Sequence, residues 1–430
     1  MKLRNIFLAS LAVCTMASCS KDEEGTSGPK NPVDAQISFV ATTALQQTKA
    51  SVAGTFEDAD NLTNETTVKT LTAYVFKKDG GLVARQSFTA DEGESIKEIK
   101  HITVKVTPEN DLSTPTKDKF ELVLVANAET VNPSSAADLK NLVLTKTIEN
   151  YTPGESYLPM IGGNEEFTGL VPLIQEEGVP NKENWVSQSS QSVNTQNEDA
   201  AAPTTSYTAI SLKRMIARVQ VDKLTIDIQK NYKGASFTLD TFALANVRPL
   251  ATMTDGVKSG SDEYYKGYVS GYYVETTTDP VSGWISPKSP VKDQLAKAYI
   301  TDQPKYTEST DGNQATTFVA DFTSGDNAKK QFVAYAFPNA VGATYKTALI
   351  IGGKFKRYAE APEELKHFRV ILEHPNGDQK VEGNYIYKLK ITITGEGSKD
   401  ENHPELNAHV AATIEVADWK VIEQTEDDTN

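Results

Sequence analysis

The chain has 430 residues, 38% of them hydrophobic and 8% aromatic, which is enough apolar material for two buried cores. Its 58 acidic and 43 basic side chains leave a formal charge of −15 spread along the length. An acidic surface of that kind repels phosphate and argues against nucleic acid as a partner.

Residues 1–18 open with Lys2 and Arg4, continue through the apolar run IFLASLAVCTMA, and end in small residues directly before Cys19. This reads as a signal peptide, too short to span a membrane in the mature protein. The sequence MASC has the form of a bacterial lipobox, in which Cys19 is lipidated and becomes the new N-terminus. An ordinary signal peptide with an incidental cysteine is the alternative. Cys14 lies in the discarded segment and Cys19 would carry lipid, so no cysteine is left for a disulfide and stability has to come from packed cores. No second stretch of 18 apolar residues occurs.

Residues 20–34 are polar and rich in Gly and Pro, as in a flexible tether. AQISFVATTAL then alternates, with Ile37, Phe39 and Ala41 on one face of a predicted strand. QQTKASVAG has no apolar period and reads as an exposed segment containing Lys49 and Ala50. VKTLTAYVFKKDGGLVARQSF predicts a hairpin about KDGG. KHITVKVT alternates through Ile102, Val104 and Val106, and KFELVLVANA is a continuous apolar run of the kind buried on both faces. NPSSAADLKNLV predicts a short helix capped by Ser134 or Ser135, with Leu139, Leu142 and Val143 inward.

Residues 174–206 are polar with little apolar periodicity, which predicts a long loop or a domain boundary. The division expected is 50–205 and 206–430. A new apolar block comes next, in which Met215, Ala217, Val219 and Val221 share a face and Leu224, Ile226 and Ile228 continue it after a slip. Further strand signals separated by turns make the second half a β-sandwich or a partly open barrel. The last ribbon, about 407–424, places Val410, Ala412, Ile414 and Val416 on one face; the register changes at Ala417–Asp418, and Trp419 and Val421 carry the apolar face onward.

Catalytic chemistry is not legible. None of the five histidines stands in an HExxH arrangement, and no Cys/His cluster has zinc-ligand spacing. His101 and His409 alternate with apolar neighbours and are expected to point outward. No phosphate-cradling loop or GxSxG elbow occurs, and the glycine pairs at 162–163 and 352–353 read as turns or bulges. Adjacent carboxylates such as Asp262–Glu263 and Glu363–Glu364 would face opposite sides of a strand, which suits acid/base work poorly. No catalytic residue, metal site or cofactor is expected. The tyrosine cluster at 264, 265, 268, 272 and 273 could be strand packing, a protein interface or a stacking surface for a glycan.

The two ends of the chain make a pair. A cut after Lys49 would remove the lipid with Ile37, Phe39 and Ala41, take away what reads as an edge strand, and bare an apolar groove. An extended segment from another copy could fill it, and such a head-to-tail contact propagates into a filament.

The sequence at this point resembles the fimbrillins of Bacteroidota, the type V pilus subunits, and in particular shaft subunits of the minor-fimbrium type. The stretches that carry the resemblance are MASC, AQISFVATT with Lys49–Ala50, VKTLTAYVF, KFELVLVANA, ISLKRMIARVQV, NYIYKLKITI and HVAATIEVADWKV. SCSKDEE is similar to the surface-export signal of Bacteroidota lipoproteins. The resemblance implies a mainly β protein of two transthyretin-like β-sandwich domains with few short helices. It implies an outer-membrane lipoprotein precursor, a trypsin-like processing protease, and assembly by C-terminal donor-strand exchange into a cell-surface fimbrium that supports adhesion to a host protein or glycan. Val410, Ala412, Ile414, Val416, Trp419 and Val421 would be the donor residues. The processing site is commonly Arg before a small residue; here Lys49 precedes Ala50, and no Arg stands between Cys19 and Arg85. Alternatives are a monomeric glycan-binding surface lipoprotein, or a tip or anchor subunit of a similar fimbria.

Overall fold

The computed structural model describes residues 31–43, 62, 64–108, 112, 114–174, 179–198, 200–205, 207–228, 232–245, 247–248, 250–253, 268–269, 272–273, 297–299, 305–307, 318–323, 331–339, 346–374, 380–399 and 410–418. The signal peptide, Cys19, Lys49, Ala50, Trp419 and Val421 lie outside the described residues.

The first half begins with β1 (Val33–Thr42), β2 (Thr70–Lys77), β3 (Leu82–Thr89), β4 (Glu98–Val106) and β5 (Phe120–Ala126). After helix α1 (Ala136–Asn141) come β6 (Met160–Phe167), β7 (Lys182–Trp185), β8 (Asn194–Asn197), β9 (Ile210–Ser211) and β10 (Lys213–Arg214). They form two five-stranded sheets. One has the order β4-β1-β7-β8 with β9 also on β1, and the other the order β10-β6-β5-β2-β3. β2 and β3 are the expected hairpin, with Asp79 at φ 55° in its turn. β5 is buried at every residue and lies between β6 and β2, as a continuous apolar run requires. Ser135 caps α1 by accepting the Asp138 N–H at 3.1 Å, and Leu139 is fully buried beneath it.

The segment 174–206 differs from its expected loop. It contains the antiparallel hairpin β7–β8, and Trp185 is buried completely. β9 and β10, beyond the expected division at 205/206, pair with β1 and β6 of the first half. Glycine at 163 is required by its backbone: φ is +155°, and a Cβ there would meet the Leu122 carbonyl oxygen at 2.1 Å, beside the bulge between Phe120 and Leu122. Gly352 and Gly353 likewise face a bulge, between Leu239 and Thr241 of the strand opposite, so both glycine pairs lie within strands.

The second half comprises β11 (Ala217–Ile226), β12 (Ser236–Ala245), β13 (Tyr268–Val269), β14 (Tyr272–Tyr273), β15 (Lys297–Tyr299) and β16 (Lys305–Thr307). It continues with β17 (Phe318–Asp321), β18 (Val333–Ala336), β19 (Ala348–Lys356), β20 (Glu364–Ile371), β21 (Tyr385–Ile393) and β22 (Val410–Asp418). Again there are two five-stranded sheets: β17-β11-β21-β22 with β18 on β11, and β15-β12-β19-β20 with β16 on β12. The slip seen between Val221 and Leu224 is a bulge in the β11–β21 ladder. The protein is thus mainly β, built of β-sandwich sheets around an apolar core that draws on both halves.

A buried ion pair joins the halves. Glu65 is fully buried, and its Oε2 accepts from Arg218 Nη1 at 2.7 Å while its Oε1 accepts from the Tyr335 hydroxyl at 2.7 Å. Arg214 Nε donates to the Glu65 carbonyl at 2.8 Å. Burial pushes the Glu65 carboxyl above its ordinary value, against the opposing pull of Arg218 and the Tyr335 hydrogen bond. Removing one partner would leave buried cations without their counter-charge. Glu65→Ala is therefore expected to destabilise the protein by roughly 3–5 kcal/mol, read as a lower urea midpoint.

Candidate functional site

β1 is the element on which the site turns. The sequence predicts an edge strand; the structure gives an inner one. β4 pairs with it antiparallel from Val33↔Val106 to Val40↔Glu98, and β7 pairs with it parallel at Gln36↔Glu183, Ile37↔Asn184 and Ser38↔Trp185. β9 extends the same side at Ala41↔Ile210 and Thr42↔Ser211. The error has a physical source: a parallel neighbour contributed from more than 140 positions downstream leaves no local signal.

The face predicted to be inward is inward. Ala35, Ile37 and Phe39 are 0% exposed and Ala41 is 3% exposed. The opposite face is covered in part as well, and Ser38 is also fully buried. Side chains tie the strand to its neighbours. Asn184 Nδ2 donates to the Gln36 carbonyl at 2.8 Å and to the Val171 carbonyl at 3.0 Å, and Asn184 Oδ1 accepts the Val171 N–H at 2.8 Å. The Val40 N–H donates to the Tyr207 hydroxyl at 2.8 Å, and that hydroxyl donates to the Val186 carbonyl at 3.2 Å. Burial pushes the Tyr207 phenol up to about 12, so it stays a neutral donor and acceptor. Backbone bonds close both ends, from Leu173 N–H to Asp34 O at 2.8 Å and from Leu212 N–H to Thr42 O at 2.7 Å.

One point of the lining is charged. The Ser38 hydroxyl donates to Glu183 Oε1 at 2.5 Å, and Glu183 Oε2 lies 2.8 Å from His101 Nδ1. His101, expected to point outward, sits at φ 63° in the bulge that shifts register between Ile37 and Phe39. The bulge re-aims its ring toward the carboxylate. Neither Glu183 nor Ser38 is legible as a pair in the sequence, because both take their polar partners across strands.

The final strand β22 pairs antiparallel with β21 of its own chain, in unbroken register from Ile393↔Val410 to Tyr385↔Asp418. The expected register change at Ala417–Asp418 is not present in this ladder; the residues after Asp418 lie outside the described ones. β22 is the edge of its sheet. Val410 and Ile414 are half-buried, packed on the core, and Ala411 and Ala412 are exposed.

Of the other candidates, Tyr268 of β13 and Tyr272 and Tyr273 of β14 stand on two short antiparallel strands, and Tyr264, Tyr265, Asp262, Glu263 and His409 lie outside the described residues. Among the described residues no three His, Cys, Asp or Glu side chains cluster as metal ligands would, and no helix is long and apolar enough to cross a membrane.

Residues 35–214 match the family model of the major fimbrial subunit protein (FimA). The match runs from within β1 to the end of β10. No curated protein matches the chain. Among solved structures, a fimbrilin (fimA) from Porphyromonas gingivalis superposes with a TM-score of 0.54 at 16% identity, over 91% of this chain and 99% of that one. A putative cell adhesion protein from Parabacteroides distasonis superposes with a TM-score of 0.53 at 14% identity, over 90% of this chain and 98% of that one. Residues 35–214 are thus similar to the major fimbrial subunit (FimA) family, and the fold over nine-tenths of the chain is one it shares with a solved fimbrilin.

Proposed function

We propose that the chain is a structural subunit of a cell-surface fimbria, exported as a precursor lipidated on Cys19 and processed by a trypsin-like cut between Lys49 and Ala50. The cut frees β1, and the final strand of another copy takes its place. Repetition of that contact builds the filament.

The observation that carries the reading is the enclosure of β1. A strand at the start of the described residues lies in mid-sheet, with Ala35, Ile37, Ser38 and Phe39 fully buried. One cut in the segment after it separates it from everything else. Its loss uncovers an apolar trough with hydrogen-bonding edges on both sides, from β4 and from β7 with β9. Ile37 and Phe39 alone contribute roughly 1.5–3 kcal/mol each by burial, so the emptied trough is a strong template for a new strand.

β22 suits the role of replacement because its own seat is poor. It is held by one neighbouring strand, and Ala411 and Ala412 remain in water. Leaving the edge of a sheet does not split the sheet. Moving from a half-exposed edge to an enclosed trough gains apolar burial and a second ladder of backbone hydrogen bonds. The exchange is thus favourable only once β1 has gone, and processing becomes the switch. Trp419 and Val421 would extend the contact beyond Asp418.

Assembly is expected to depend on both ends. Lys49→Ala should leave the lipidated precursor uncut and monomeric on cells, and a stop codon before Asn407 should give folded, exported protein that makes no filaments. Normal filaments from the truncated chain would contradict strand exchange. Tyr207→Phe removes the acceptor of the Val40 N–H and is expected to lower precursor stability by about 1–2 kcal/mol in urea unfolding, with a smaller effect once the leader is cut.

A further inference from the structure

Among the side chains that line the trough around β1 is a buried carboxylate, that of Glu183. Glu183 is 1% exposed, and a carboxylate that deep requires donors on both oxygens. Oε2 lies 2.8 Å from His101 Nδ1, an ion-pair contact without hydrogen-bond geometry, on a strand that stays when β1 leaves. Oε1 has the Ser38 hydroxyl, on the strand that departs. The His101 backbone N–H also points at this spot, 3.3 Å from Ser38 Oγ and 3.4 Å from Glu183 Oε1, and too far for a strong bond to either. Loss of β1 therefore leaves one buried carboxylate oxygen short of its close donor at a fixed point along the trough.

We infer that Glu183, oriented by His101, pins the register of the strand that replaces β1, and that the group it selects is the hydroxyl of Thr413 from a second copy of this chain. The inference rests on the strand-exchange reading above and goes further by naming one alignment. β22 contains a single hydroxyl-bearing residue, Thr413, flanked by Ala412 and Ile414 as Ser38 is flanked by Ile37 and Phe39. With Thr413 in the place of Ser38, the alternating set Val410, Ala412, Ile414 and Val416 falls on the four inward positions of Ala35, Ile37, Phe39 and Ala41. This holds for either strand direction.

The neighbouring alignments fail for stated reasons. A slip of two residues one way brings Glu415 to the pin and sets carboxylate against buried carboxylate. A slip of two the other way brings Ala411 and leaves Oε1 without a hydroxyl. A slip of one sends the whole apolar set to the wrong face. Apolar matching alone separates the two-residue slips poorly, because small and branched apolar residues would still line the trough. The charge is what makes the choice sharp, at the expense of an apolar contact.

The test uses full-length protein, processed and assembled, with filament dissociation followed in urea. Thr413→Val keeps the shape and removes the hydroxyl; it is expected to dissociate roughly 10–100-fold faster, the range for a hydrogen bond to a buried charge. Thr413→Ser restores the hydroxyl and should stay within about threefold of the parent. In a Glu183→Gln background the gap between Thr413 and Thr413→Val should shrink, as a double-mutant cycle on a direct contact requires. Unprocessed precursors of the Thr413 variants should melt together, since the pin acts only between copies. Thr413→Val filaments as durable as the parent, or a Val penalty undiminished by Glu183→Gln, would overturn the pin. The Val-against-Ser comparison decides the need for the hydroxyl even if Glu183→Gln precursor does not fold. Ile414→Asp separates the two levels: if it blocks assembly while Thr413→Val is silent, the pin is wrong and strand exchange stands, whereas normal filaments from Ile414→Asp overturn both.

Discussion

The enclosure of β1 between β4 on one side and β7 with β9 on the other is the constraint that governs both ends of the chain. A strand in mid-sheet cannot be removed without exposing two rows of backbone donors and acceptors and the apolar side chains it covered. Most proteins avoid such a dependence on a strand near one end of a chain, since termini are where order is weakest. Here the dependence is extreme: Ile37 and Phe39 are fully buried in a core that the first half cannot close without them or a substitute.

The second end of the chain is built the opposite way. β22 lies on an edge, covered on one side only, with alanines in water. The two ends therefore differ in how much burial each strand has and how much each site demands. That difference supplies both a direction and a barrier. In the proposed exchange, β22 has nowhere better to go while β1 is seated, and the vacated site would outrank the edge once β1 was cut away. The Glu65–Arg218–Tyr335 cluster ties the two halves together through contacts that do not involve β1.

Much of this was legible because it depended on periodicity. The alternation of Ile37, Phe39 and Ala41, the unbroken run of β5, the Ser135 cap and the slip after Val221 are local patterns, and the structure has each of them. What the sequence concealed was contributed across strands. KENW at 182–185 reads as loop because Glu183 and Asn184 are polar, yet both are buried, satisfied by Ser38 and by the Gln36 carbonyl. His101 alternates as an outward residue, and only the bulge opposite Ile37 and Phe39 turns it toward Glu183. β1 looked like an edge because its parallel partners lie far downstream. The partner of β22 was equally hidden, since nothing in an apolar ribbon states which strand it will join.

The central claim is that the space between β4 and β7 changes owner on assembly. The most direct measurement is the structure of the assembled filament at a resolution that traces side chains. The account predicts that the strand between β4 and β7 is continuous with the C-terminus of a neighbouring copy and that residues before Ala50 are gone. A filament in which Val33–Thr42 of the same chain still fills that space would contradict it.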